Sequence, residues 1–76
     1  MATIGAVMPH ADGEKLAELR EERFLSHREL AKLAGVSPQT VLNLEHGKGE
    51  KAQRRTIRKL AQALGVDPHE LVKSEE

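Results

Sequence analysis

The stretch SHRELAKLAGVSPQTVLNLEHG, residues 26–47, decides how the rest of the chain is read. Ser26 followed by Glu29 is a capping box, in which each side chain satisfies a free amide at the other end of the first turn. Leu30, Ala31, Leu33 and Ala34 are the apolar residues of the helix that this box opens, and they are expected to form its buried face. Gly35 then stands where a helix needs a residue tolerant of left-handed dihedrals. Val36 is an apolar plug between helices. Ser37 and Pro38 restart helix as N-cap and first helical residue, where proline's missing amide costs nothing. The second helix is predicted to run from Pro38 to about Glu45 or His46, with Val41 and Leu44 turned inward. Gln39, Thr40, Leu42 and Asn43 are left mainly on the opposite, polar face.

Two short helices joined by a tight turn have the outline of a helix-turn-helix. A pair crossing steeply through Ala31 and Gly35 suits insertion of the second helix into a major groove, where glutamine and asparagine amides match adenine through one donor and one acceptor. The stretch also resembles the Xre-type family, the Cro and phage-repressor proteins, whose pattern is roughly Leu-Ser-Gln-x-x-Leu-Ala-x-x-x-Gly-Val-Ser-x-x-x-Ile-x-x-x-Glu-x-Gly. Here that pattern stands as Leu25, Ser26, His27, Leu30, Ala31, Gly35, Val36, Ser37, Val41, Glu45 and Gly47. With its flanking helices the resemblance covers about residues 13–72. It implies an all-α fold, a compact five-helix bundle containing a lambda repressor-like helix-turn-helix, and sequence-specific binding of double-stranded DNA.

The resemblance also implies roles. It places a base-reading side chain at Gln39, with Pro38, Leu42 and Asn43 also nearest the bases. Leu42 fits either a thymine methyl or a protein partner. His27, His46 and Lys48 correspond to backbone contacts, and Ser37 and Thr40 hold the register at the helix N-terminus. His27 replaces the family's common glutamine. Arg20 occupies a position whose arginine often pairs with the glutamate ending the recognition helix, here Glu45. The residues argue the same way: Arg20 shares a helix face with Leu16 and Leu19, and Glu45 is the only acid between Ser37 and Lys48. A carboxylate at a helix C-terminus also asks for a cation.

Seventy-six residues make one domain with a single small core. Without cysteine there is neither a disulfide nor a thiolate zinc site, and no apolar run is long enough to span a membrane; a soluble, cytoplasmic protein is expected. The formal net charge is zero, yet it is unevenly laid out. Residues 37–60 carry six basic and two acidic side chains, a net +4, against five and six before them and one and four after. Lys48, Lys51, Arg54 and Arg55, with Arg58 and Lys59 beyond, come after the second helix and serve either to meet phosphates or to solvate a helix surface.

Residues 1–11 have no helical period and read as a flexible tail, or as an arm in which Ile4, Val7 and Met8 pair with a second protomer. The folded domain is expected over 12–73, with 74–76 frayed. Asp12 caps a first helix from Gly13 to about Arg23, and Phe24 is expected to be partly exposed beside Leu25. A fourth helix from about Arg54 to Leu64 carries Ile57, Leu60, Ala61 and Leu64 at core spacing and ends at Gly65; Asp67, Pro68 and Glu70 then open a fifth helix with Leu71 and Val72. No internal repeat or β-rich stretch competes with five helices.

No catalytic constellation is present. His10, His27, His46 and His69 lack the short spacing that sets two metal ligands on one helix face, and Ser26 and Ser37 are better read as caps than as nucleophiles. No enzyme activity, metal or cofactor is expected. The leading functional expectation is a DNA-binding transcriptional regulator, a repressor working as a homodimer on a pseudo-palindromic operator. The alternative is a protein-interaction module on the same fold, such as an antitoxin holding a toxin, or a bridging adaptor.

Overall fold

The computed structural model describes residues 10–47 and 52–73. Its order is α1 (Gly13–Glu22), α2 (His27–Ala34), α3 (Pro38–Glu45), α4 (Arg54–Leu64) and a 3₁₀ turn, Pro68–Leu71. Each of the first three helices starts on a side-chain cap. Asp12 accepts from the Lys15 amide, Ser26 and Glu29 form the reciprocal capping box, and Ser37 accepts from the Thr40 amide with Pro38 opening the helix. Such caps occupy amides that an isolated helix end leaves free.

Helix α2 ends at Gly35, with φ 75° and ψ 33°; the Val36 amide reaches back to the Ala31 carbonyl at 3.0 Å. Helix α4 ends in the same way, at Gly65 with φ 73° and with the Val66 amide on the Ala61 carbonyl at 3.0 Å. These are Schellman closures, and the valine after each glycine packs on the core. The parallel is written in the sequence: LAKLAGVSP from Leu30 and LAQALGVDP from Leu60 are variants of one helix-ending phrase.

The two phrases lead into different structures, and the fifth helix is the main correction to the expected fold. After Pro38, Val41 and Leu44 supply two inward turns and α3 forms. After Pro68 only Leu71 is buried, and Val72 turns extended to bridge Ala11. With one apolar anchor a second turn has nothing to pack on, so the segment remains a 3₁₀ turn capped by Asp67. Among the described residues there are therefore four α-helices.

The pairing with Val72 also shifts the N-terminal boundary. Lys73 donates to the His10 carbonyl at 2.9 Å, the Asp12 amide donates to the Leu71 carbonyl at 2.8 Å, and Ala11 is buried. His10 and Ala11, which the sequence pattern assigns to the tail, thus pack against the end of the 3₁₀ turn. The proposed arm residues Ile4, Val7 and Met8 lie outside the described residues.

The core lies where α2 packs on α3 and α4, closed by α1 and the 3₁₀ turn. Leu30, Val41, Leu60 and Leu71 are its most completely enclosed side chains, one from each of α2, α3, α4 and the turn. Truncating one of these leucines to alanine is worth roughly 2–5 kcal/mol, a large part of what so small a domain has. Leu33 is a second correction: it is 63 % exposed. At 3.6 residues per turn it lies about 110° round the helix from the stripe of Leu30, Ala31 and Ala34. Phe24 is more exposed than expected, at 92 %, and its backbone is left-handed, with φ 54°.

Candidate nucleic-acid interface

Helix α3 is anchored from behind by Val41 and Leu44, so its front is presented at a fixed depth. Pro38 and Gln39 are exposed, while Thr40, Leu42 and Asn43 are half-buried along its sides. Gln39 Nε2 donates to Asn43 Oδ1 at 3.0 Å, a link between positions one turn apart that spacing alone allows but does not suggest. Ser37 Oγ and Thr40 Oγ1 share a hydrogen bond of 2.9 Å at the helix start. A notch in front of this turn is lined by Ser26, His27 and Arg28 from the start of α2 and by Pro38, Gln39 and Leu42 of α3. Leu42, expected on the polar face, is thus half-buried and forms a wall of the notch.

The other end of α3 is held by a charged cluster. Arg20 Nε donates to Glu45 Oε2 at 2.7 Å and Arg20 Nη2 to Glu45 Oε1 at 3.1 Å, while Arg20 Nη1 caps the Leu25 carbonyl at 2.8 Å. The glutamate side chain is 4 % exposed and the arginine 11 %. The hydrogen bond to Glu45 raises the guanidinium above its ordinary pKa, against opposing burial, and the charges of Glu45 and Glu21 add to it. A planar fork on both carboxylate oxygens fixes angle as well as distance.

His27 joins this cluster, its Nε2 lying 2.9 Å from Glu45 Oε1. Against a carboxylate that only accepts, Nε2 carries the proton, which leaves Nδ1 as the ring's other polar atom. The family resemblance gives His27 a backbone-contacting role and does not foretell a tie between the start of α2 and the end of α3. Nothing local signals that bond.

Gly13 is a further residue that the sequence pattern leaves unmarked. A β-carbon there would collide with the Leu44 carbonyl oxygen and come within 2.8 Å of that of Glu45. The start of α1 therefore abuts the last carbonyls of α3, positive helix end against negative. Arg23 makes a similar long-range tie, donating from Nε to the Leu64 carbonyl at 2.9 Å and from Nη1 to the Leu19 carbonyl at 3.0 Å.

Arg54 and Arg55 are exposed in the first turn of α4, whose N-cap, Gln53, makes no side-chain cap bond and whose first turn has no acid. His46 is exposed at the C-cap of α3. Lys48 and Lys51 lie outside the described residues. Among the described residues no group of three or more His, Asp or Glu side chains is placed to hold a metal ion, and no helix is long and apolar enough to cross a membrane.

Residues 13–73 match the helix-turn-helix domain family. The chain belongs to that family. Its helix-turn-helix is of the Xre-like type. It is 45 % identical over 58 residues to the HTH-type transcriptional repressor RghR of Bacillus subtilis, a match covering 76 % of this chain and 42 % of that protein. The chain thus spans about two fifths of the length of that relative. Among solved structures, the restriction-modification controller protein C.AhdI of Aeromonas hydrophila superposes with a TM-score of 0.72 at 38 % identity, covering 76 % of this chain and 86 % of that one. The biofilm regulator SinR, solved in complex with DNA, superposes with a TM-score of 0.72 at 26 % identity over 75 % of this chain and 90 % of that one. The same helix-turn-helix fold also occurs inside an enzyme: the hydroxypropylphosphonic acid epoxidase of S. wedmorenis matches with a TM-score of 0.70 at 31 % identity, over 80 % of this chain but 32 % of that one.

Proposed function

We propose that this protein is a cytoplasmic, sequence-specific regulator of transcription, a repressor that binds double-stranded DNA as a homodimer on a pseudo-palindromic operator. One observation carries the reading: α3 is pinned at its back by Val41 and Leu44 and at its end by Glu45, and it offers the amides of Gln39 and Asn43 at its front. A rigid short helix with amide side chains outward is what major-groove readout requires. Pro38, Gln39, Leu42 and Asn43 meet the base edges. His27, Ser37, Thr40, His46, Lys48, Lys51, Arg54 and Arg55 meet the backbone. Two arginines opening an uncapped helix work against its dipole, an arrangement that a phosphate relieves. The names of RghR and SinR, a repressor and a regulator solved with DNA, support the same reading.

One such helix reads only a few base pairs, so two copies about 34–36 Å apart are needed for useful specificity. The test is selection of duplex DNA from a random pool at low salt, and then footprinting. A pseudo-palindrome protected on both halves is expected. Failure to enrich any sequence overturns the reading.

The exposed Phe24 and Leu33 favour a second reading, a protein-interaction module such as an antitoxin. Salt separates the two, because phosphate binding weakens steeply as salt rises and an apolar interface does not.

A further inference from the structure

Gln39 and Asn43 lie one turn apart on the front of α3, and among the described residues Asn43 is the only side chain that hydrogen-bonds Gln39. A primary amide has two hydrogens on nitrogen and one accepting oxygen. The bond from Gln39 Nε2 to Asn43 Oδ1 uses one hydrogen and fixes which way the amide faces. When that hydrogen is the one anti to Oε1, the hydrogen left over lies syn to Oε1, and the two form a donor beside an acceptor on one edge of the amide. That edge complements adenine, whose N7 accepts and whose N6 amino group donates in the major groove; guanine offers N7 and O6, both acceptors. A glutamine free to rotate can turn its amino group towards guanine O6. One held by its neighbour sets its own oxygen against O6, two acceptors facing each other.

We infer that Asn43 is a positioning residue for sequence specificity: its Oδ1 sets the direction of the Gln39 amide, so that the base pair facing Gln39 is read as adenine and guanine is rejected. This rests on the DNA-binding reading above and deepens it. Asn43 keeps both hydrogens of its own amide for an acceptor on a neighbouring base. The backbone under the pair is immobilised by Val41 and Leu44, at 0 % and 4 % exposure, so the amide direction is held relative to the groove. Ordering the pair before binding also removes part of the side-chain entropy that binding otherwise costs.

The test uses the full chain and the operator obtained by selection. The pair facing Gln39 is first located as the one at which Gln39→Ala loses discrimination. Binding to adenine and guanine versions of that pair is then compared for wild type, Asn43→Ala and Asn43→Asp. Wild type is expected to prefer adenine by on the order of tenfold or more. Asn43→Ala should lose most of that preference at this pair. Asn43→Asp keeps an acceptor for Gln39 and should keep the preference at this pair, while its overall affinity falls because the carboxylate adds a negative charge beside the duplex and has no hydrogen to donate to a neighbouring base. Replacing the adenine by 7-deazaadenine, which lacks N7, should weaken wild type and Asn43→Asp but leave Gln39→Ala unchanged. Equal loss of preference in Asn43→Ala and Asn43→Asp, or retention in both, overturns the inference while the DNA-binding reading stands. If selection enriches nothing, both fall.

Discussion

Arg20 holds both carboxylate oxygens of Glu45, at 2.7 and 3.1 Å, across 25 residues of sequence. This contact joins the last turn of α1 to the last turn of α3, and His27 adds a third hand from α2. Three helices therefore meet on one carboxylate, and the angle of α3 depends on it.

Removing one partner of so enclosed a pair leaves the other with weaker compensation, Glu21 at 3.6 Å for Arg20 and His27 at 2.9 Å for Glu45. Glu45→Leu or Arg20→Met alone should destabilise by roughly 3–5 kcal/mol, and the double variant by less than the sum. Urea unfolding of both singles and the double gives the coupling. Additive, near-neutral changes would show that the contact does not hold α3.

Gly13→Ala tests the close approach of α1 to α3. Helix propensity favours alanine over glycine by about 1 kcal/mol in a helix interior, so propensity alone would make the change stabilising. The carbonyls of Leu44 and Glu45 occupy the space, and backbone cannot move aside as a flexible side chain would. The expected result is a loss of about 1–3 kcal/mol, with weaker binding to selected DNA because the end of α3 is displaced. Equal or higher stability would show that α1 and α3 do not need the missing side chain at Gly13.

Phe24 is left-handed at φ 54° and 92 % exposed, so its backbone is strained and its ring packs on little. Phe24→Asn substitutes a residue that tolerates this conformation and should stabilise by about 1 kcal/mol. A fall in the thermal midpoint would mean that the ring makes contacts its exposure does not suggest.

Arg54→Ala and Arg55→Ala should weaken binding to cognate and random duplexes alike. Each should reduce the slope of log affinity against log salt by about 1. A change confined to the cognate sequence would instead make that arginine a base reader.

Glu45→Gln offers a finer probe than its truncation, since it keeps an acceptor for His27 and Arg20 while removing the charge. Stability should fall less than in Glu45→Leu. If the two are equal, charge rather than hydrogen bonding holds the cluster.

The elements that the sequence alone determined are those whose cause is local. The Ser26–Glu29 box, the glycine closures at Gly35 and Gly65, and the Ser37-Pro38 restart each depend on atoms a few residues apart, so their residue types state the geometry. The same holds for the core stripe of α4, where Ile57, Leu60, Ala61 and Leu64 repeat at the helical period. Asp67-Pro68 began a turn just as legibly, but whether it grew into a helix depended on how much core remained to pack against. Only the tertiary structure decided that, as it decided that His27 meets Glu45, that Arg23 caps Leu64 and that Gly13 must have no side chain. These contacts join residues far apart in the chain, and their geometry comes from the angles at which helices pack. Those angles are set by the whole core at once, and no short stretch of sequence carries them.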